Sequence, residues 1–182
     1  MKSNILAPIL LAILFAASSL SARADSFHDI AVHARAKYAA AQERWQRDLA
    51  ELVKRANPNF EEIAFIQRDL QLAYVEQGNV RFRYLLDHDF HRIILINGVS
   101  QFSNFGWTDA DSKALSVSAP TYVQLQKRIE VLKKKNDEES DWPKFREWFR
   151  DELSKSGDYK TLLSNFQAEQ KAVEDLLGKY KP

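Results

Sequence analysis

The chain reads as an all-α protein, an antiparallel bundle of four to five helices with one long aromatic-rich connection, and three observations carry that reading. Only five glycines and five prolines occur in 182 residues, and they fall between periodic segments more than inside them, which is how helices are punctuated. Within the segments, apolar residues return at steps of three and four, the spacing that lines one face of a helix. No cysteine is present, so disulfides cannot hold the fold and burial of apolar side chains must.

The chain opens on an export signal. Lys2 precedes an uncharged, mostly apolar run from Ile5 to Leu20, and Ser21-Ala22-Arg23-Ala24 puts small residues where a signal peptidase needs them. Residues 1–24 are therefore expected to be cleaved, leaving 25–182 as a single helical domain in a periplasmic or extracellular compartment. The competing reading, an uncleaved anchor, conflicts with Pro8 and with the roughly 20 apolar residues needed to span a bilayer. The mature chain carries 24 basic and 25 acidic residues, without the basic excess that nucleic-acid binding requires. No later run is long enough for stable membrane insertion.

The first helix is expected from Ser26, as N-cap, to Ala56, with Phe27, Ile30, Ala34, Tyr38, Ala41, Trp45, Leu49 and Leu52 in one stripe. Asn57-Pro58-Asn59 breaks it. The second runs from Asn59 towards Asn97-Gly98, with apolar residues on two faces, which places it centrally. Past Gly78 the alternation of Val80, Phe82, Tyr84 and Leu86 keeps a β-hairpin open as an alternative over residues 79–97. Gly98 to Pro120 is the long connection, in which Thr108 and Asp111 resemble a capping box and predict a brief helix over about Asp109–Val117. Further helices are expected over Thr121–Asn136, over a short aromatic segment capped by Asp141 with Pro143 in its first turn, and from about Tyr159 to Gly178.

Chemistry is sought first among the four histidines. If the first two helices form a hairpin about Pro58, residues 28 and 88 lie level. Then His88, His91, Asp87 and His28 form the best subset for a zinc, copper or nickel site. The spacing also weakens that idea, because His28 and His33 flank opposite sides of their stripe. His88 falls on the apolar stripe and is expected to be half-buried. Gln77 and Arg81 share its face, and Gln170 interrupts the last stripe. Such residues can line a small-molecule cavity, but the reading preferred here is that they sit at stripe edges and reach water.

No cysteine nucleophile, Gly-x-Ser-x-Gly elbow, phosphate-binding glycine loop or His-Glu-x-x-His helix occurs. The expectation is thus a noncatalytic exported protein that binds a protein or peptide partner through helical faces and through Phe102, Phe105 and Trp107 of the connection. Long connections are often functional, and that use predicts an exposed apolar patch at the three rings; aromatic residues in a connection more often fold back and close the end of the core. A histidine-dependent metal protein and a hydrolase with His88 as base are the alternatives.

Overall fold

Punctuation and capping decide where each helix starts and stops. In the computed structural model, residues 6–93 and 105–178 are described, with side chains from residue 28 onward. Helix α1 spans Leu6–Ala56 and α2 spans Glu61–His88. Between them Asn57 turns extended, its side chain accepts from the Asn59 N–H, and Pro58 opens one 3-10 turn. A residue preceding proline avoids the α region, so α1 ends where the sequence indicates.

Its start differs from expectation. Helix α1 runs through Ser26 without a break, so Ser26 does not stand at the start of the helix. From Ile9 to Ala56 there is neither glycine nor proline, and nothing interrupts the hydrogen-bond ladder. The far end of α2 also departs from the sequence reading. Residues 79–88 are helix, which removes the hairpin, yet α2 stops at His88 where Asp89 leaves with φ −157°. Asp87 and Asp89 crowd a C-terminus whose free carbonyls already carry negative partial charge, which disfavours extension. A 3-10 turn, Phe90–Arg92, follows; Asn97-Gly98 lies outside the described residues.

Beyond the connection, α3 spans Asp109–Ser118 behind the predicted Thr108/Asp111 capping box, and α4 spans Pro120–Glu138. Helix α5, Trp142–Asp151, has Pro143 in its first turn, but Asp141 does not cap it by side chain; that carboxylate accepts instead from Lys144 Nζ at 2.7 Å. Helix α6, Gly157–Leu177, is capped by Ser156 and closes at Gly178. The described residues thus hold six α-helices, a bundle of four long helices together with the two short ones expected after Thr108 and Asp141.

The principal contacts run α6 to α1, α1 to α2 and α2 to α4. Neighbours are antiparallel: Arg35 meets Asn79 while Lys54 meets Glu61, and Arg81 meets Tyr122 while Glu76 meets Arg128. Three apolar clusters fill the row. Ala31, Ala34, Phe82, Leu85 and Val173 pack at one end, closed by Ile93 and Phe105. Leu70 and Ala73 face Leu125 and Ile129. At the Pro58 turn, Val53, Ala64 and Leu153 are covered by Phe60, Phe145 and Trp148, so the aromatics of α5 serve as core. Among the described residues no helix is long and apolar enough to cross a membrane.

Candidate functional site

Helical spacing brings polar side chains of α1 and α2 to one cleft of about 510 Å³. Arg35, Tyr38 and Gln42 recur at i, i+3 and i+7 along α1, and so share a face. Gln71, Tyr74, Gly78 and Arg81 do the same along α2, joined by Gln77, while Phe105 and Trp107 line it from the connection. A volume of this size is typical of ligand pockets, which also tend to combine ring surface with a few convergent polar groups.

Arg35 is only 5% exposed. Its Nε donates to Asn79 Oδ1 at 2.8 Å, and the guanidinium lies 5.4 Å from the Tyr38 ring centre and 5.7 Å from that of Phe82. Burial pushes its pKa down to about 10, partly offset by Tyr38, so it stays cationic at neutral pH. The guanidinium fits because residue 78 is glycine: a Cβ there would fall 2.5 Å from Arg35 Nη2.

Arg81 is half-buried. Its Nε donates to the Tyr122 hydroxyl at 2.9 Å, and its guanidinium carbon lies 5.2 Å from the Trp107 ring and 5.9 Å from that of Tyr122. Tyr122 is 1% exposed, so the anchor is packed on all sides. Among the described residues no carboxylate forms a salt bridge with Arg81. Nor do the described lining residues include any Asp or Glu, although the chain holds 25 acids against 26 bases. The cleft is locally cationic inside a nearly neutral protein.

A strap keeps Trp107 in place. Gly106 turns the chain at φ +68°, a region where only glycine escapes a steric penalty. The Trp107 indole Nε1 donates to Ser112 Oγ at 2.7 Å, and the ring meets Tyr84 and Tyr122 edge-on. Arg92, just past α2, donates to both Asp111 oxygens at 3.0 and 2.6 Å and also to the Gly106 carbonyl. Asp111 accepts in addition from the Thr108 N–H and Oγ1 at 2.8 and 2.7 Å. The Arg92 hydrogen bonds, aided by those from Thr108, hold the Asp111 carboxyl far below the ordinary carboxylate range against its partial burial.

The residues singled out from sequence are placed differently from one another. Phe105 is 5% exposed and closes the core against Phe82, so the expected exposed patch does not exist at that ring: its apolar area stabilises more inside. Trp107 is half-buried at the cleft, and Phe102 lies outside the described residues. All four histidines are exposed, which corrects the half-buried placement of His88. The His88 ring stacks on Tyr84, and its Nδ1 bonds the Tyr84 carbonyl at 2.8 Å, using the end of α2 as partner instead of a carboxylate. Among the described residues no group of three or more His, Asp or Glu side chains is disposed to hold a metal, so His88, His91, Asp87 and His28 are not brought together.

Gln77 and Arg81, expected at a stripe edge, line the cleft instead. Sequence reasoning missed Arg35, Gln42, Gln71 and Tyr74. Arg35 had a signal: it stands between Ala34 and Tyr38 at stripe spacing, where a cation is out of place unless it has a use. Comparison with protein-family models, curated proteins and solved structures gives no match.

Proposed function

We propose that the protein is exported with loss of residues 1–24 and acts by binding, its cleft taking an extended segment of a peptide or protein partner. The observation that carries this reading is the lining: Gln42, Gln71 and Gln77 set donor and acceptor carboxamides around one cleft that Tyr38, Tyr74 and Trp107 also line. Carboxamides offer both an acceptor oxygen and two donor hydrogens, which matches the alternating N–H and C=O of an extended main chain. From Gln71 to Arg81 the cleft wall runs ten helical steps, about 15 Å at 1.5 Å per step. That accommodates roughly four or five residues of extended chain at about 3.3 Å each.

The test is ¹H–¹⁵N NMR of the purified protein titrated with eight-residue peptides of mixed polar sequence. Binding in the cleft moves the side-chain amide signals of Gln42, Gln71 and Gln77 together with the Trp107 indole. If peptides leave those four signals unchanged, or move only signals from α5 and α6, the reading is wrong.

A further inference from the structure

Arg81 is the residue in the cleft whose chemistry is least used by the fold. Its Nε is committed to the Tyr122 hydroxyl and its flat face to Trp107, which fixes the plane of the guanidinium. The described residues give it no carboxylate. A half-buried cation without a counterion is unfavourable unless something neutralises it. Arg35, in the same cleft, adds a second positive charge, and the described lining residues include no acid beside Arg81.

Because Nε is occupied, the donors left on Arg81 are those of the two terminal nitrogens. Paired N–H groups in one plane match the two oxygens of a carboxylate in a bidentate arrangement. The neighbouring ring of Trp107 excludes water on one side, and in a partly desolvated cleft such a pair is stronger than on an open surface.

We propose that the Arg81 end of the cleft is a carboxylate receptor, so that the peptide segment bound there is recognised by an acidic group, either its C-terminal carboxylate or an Asp or Glu side chain. This rests on the peptide-binding reading above and adds to it a determinant of choice. Arg81 supplies the paired donors, Tyr122 and Trp107 hold its plane, and Arg35 contributes charge from the α1 side. The carboxamides then read the main chain that leads away from that group.

The experiment compares three eight-residue alanine-, serine- and glutamine-based peptides by calorimetry: one with a free C-terminus, one amidated and neutral, and one amidated with a single internal Glu. At least one carboxylate peptide is expected to bind about tenfold more tightly than the neutral one, the effect of roughly 1.4 kcal/mol; which of the two does so identifies the source of the carboxylate. In Arg81→Gln that preference disappears, the carboxylate peptides binding no more tightly than the neutral one, and Arg81→Lys restores part of it. Circular dichroism checks that the variants fold. Should Arg81→Gln fail to fold, Arg81→Lys, which keeps the charge but not the paired planar donors, must still reduce the preference, and an unchanged preference overturns the receptor.

N-acetylglycine, followed by NMR at the Arg81 Nε and Trp107 indole signals, separates the two layers of the argument. If it binds and no peptide does, the carboxylate receptor stands and the peptide reading falls. If all three peptides bind equally, or sulfate displaces the acidic peptide as well as acetate does, the receptor is overturned while peptide binding survives. If nothing binds, both are wrong.

Discussion

Asp111→Ala should loosen the cleft without touching it. The substitution removes the two charged hydrogen bonds from Arg92 and the acidic half of the capping box on α3. Hydrogen bonds to charged groups contribute about 1.5–3 kcal/mol and a helix cap about 1 kcal/mol. The side chains of Arg92 and Asp111 are 28% and 13% exposed, so solvent screens the pair only in part, and the lower end of the charged range applies. Counting the bidentate Arg92–Asp111 pair as one charged interaction, the sum is about 2.5–3 kcal/mol. In a chain of this length each kcal/mol shifts Tm by about 2–4 °C, so full transmission to the global transition lowers Tm by roughly 5–12 °C.

Because α3 packs chiefly on α4, part of that loss will emerge as local opening, with amide exchange in α3 and Trp107 fluorescence changing before the bundle unfolds. A double-mutant cycle of Asp111→Asn with Arg92→Gln isolates the pair and should give a coupling of about 1.5–2 kcal/mol, since partners sharing hydrogen bonds are non-additive. Singles that add to within about 0.3 kcal/mol refute the strap as an energetic unit. The pH dependence has a fixed sign. The folded Asp111 carboxyl titrates below its unfolded value, so its stabilisation is complete above the ordinary carboxylate range and is lost as pH falls through that range towards the depressed folded value. Asp111→Asn should flatten that part of the acid limb.

Gly78→Ala sets a helix-propensity gain of about 1 kcal/mol against displacement of the buried Arg35 guanidinium, worth about 1–3 kcal/mol; a lower urea midpoint is expected, and a higher one means that Arg35 relocates freely. Phe82→Ala, at a site 1% exposed, should cost about 3–5 kcal/mol in chemical denaturation, and a cost under 1 kcal/mol would show that Phe105 and Ile93 collapse into the space. His88→Ala should change stability by no more than about 0.5 kcal/mol, as surface substitutions do, and leave the metal content of chelator-free protein unchanged; loss of a stoichiometric metal from the variant would revive the histidine site.

Helix positions were legible because apolar periodicity, Pro58 and the Thr108/Asp111 box are local signals, and the structure keeps the Pro58 turn and the α3 box. The end of α2 was less so: the stripe continues in sequence past His88, but the helix yields to Asp87 and Asp89, an electrostatic preference that periodicity does not register. The site was least legible because it depends on which face of each helix has a neighbour. Gln77 and Arg81 occupy positions that would be edges in a two-helix pair, and only the packing of α4 on α2, through Leu125 and Ile129, with Tyr122 at 1% exposure, turns Arg81 inward. Phe105 was ambiguous for the opposite reason. An aromatic residue in a connection reads as patch or plug, more often as plug, and its contact with Phe82 makes it a plug.

What distinguishes the cleft from the rest of the bundle is that three unfavourable choices coincide in it. Gly78 stands inside a 28-residue helix, where glycine costs about 1 kcal/mol relative to alanine. Arg35 is taken out of water to 5% exposure beside it. Arg81 is held half-buried without an acidic partner among the described residues. Across much of the bundle local choices agree with the fold: alanines of α1 pack in the core, Arg44 and Lys54 pair with Glu169 and Glu61 at the surface, and α3 and α6 are capped by Thr108 and Ser156. Departures from local consistency concentrate where a protein does something other than fold. The glycine makes room for one guanidinium, and Tyr122 fixes the other. Helix propensity taken alone would favour alanine at 78 and charge balance an acid near 81; the described lining residues hold neither, an arrangement that an anionic guest would require.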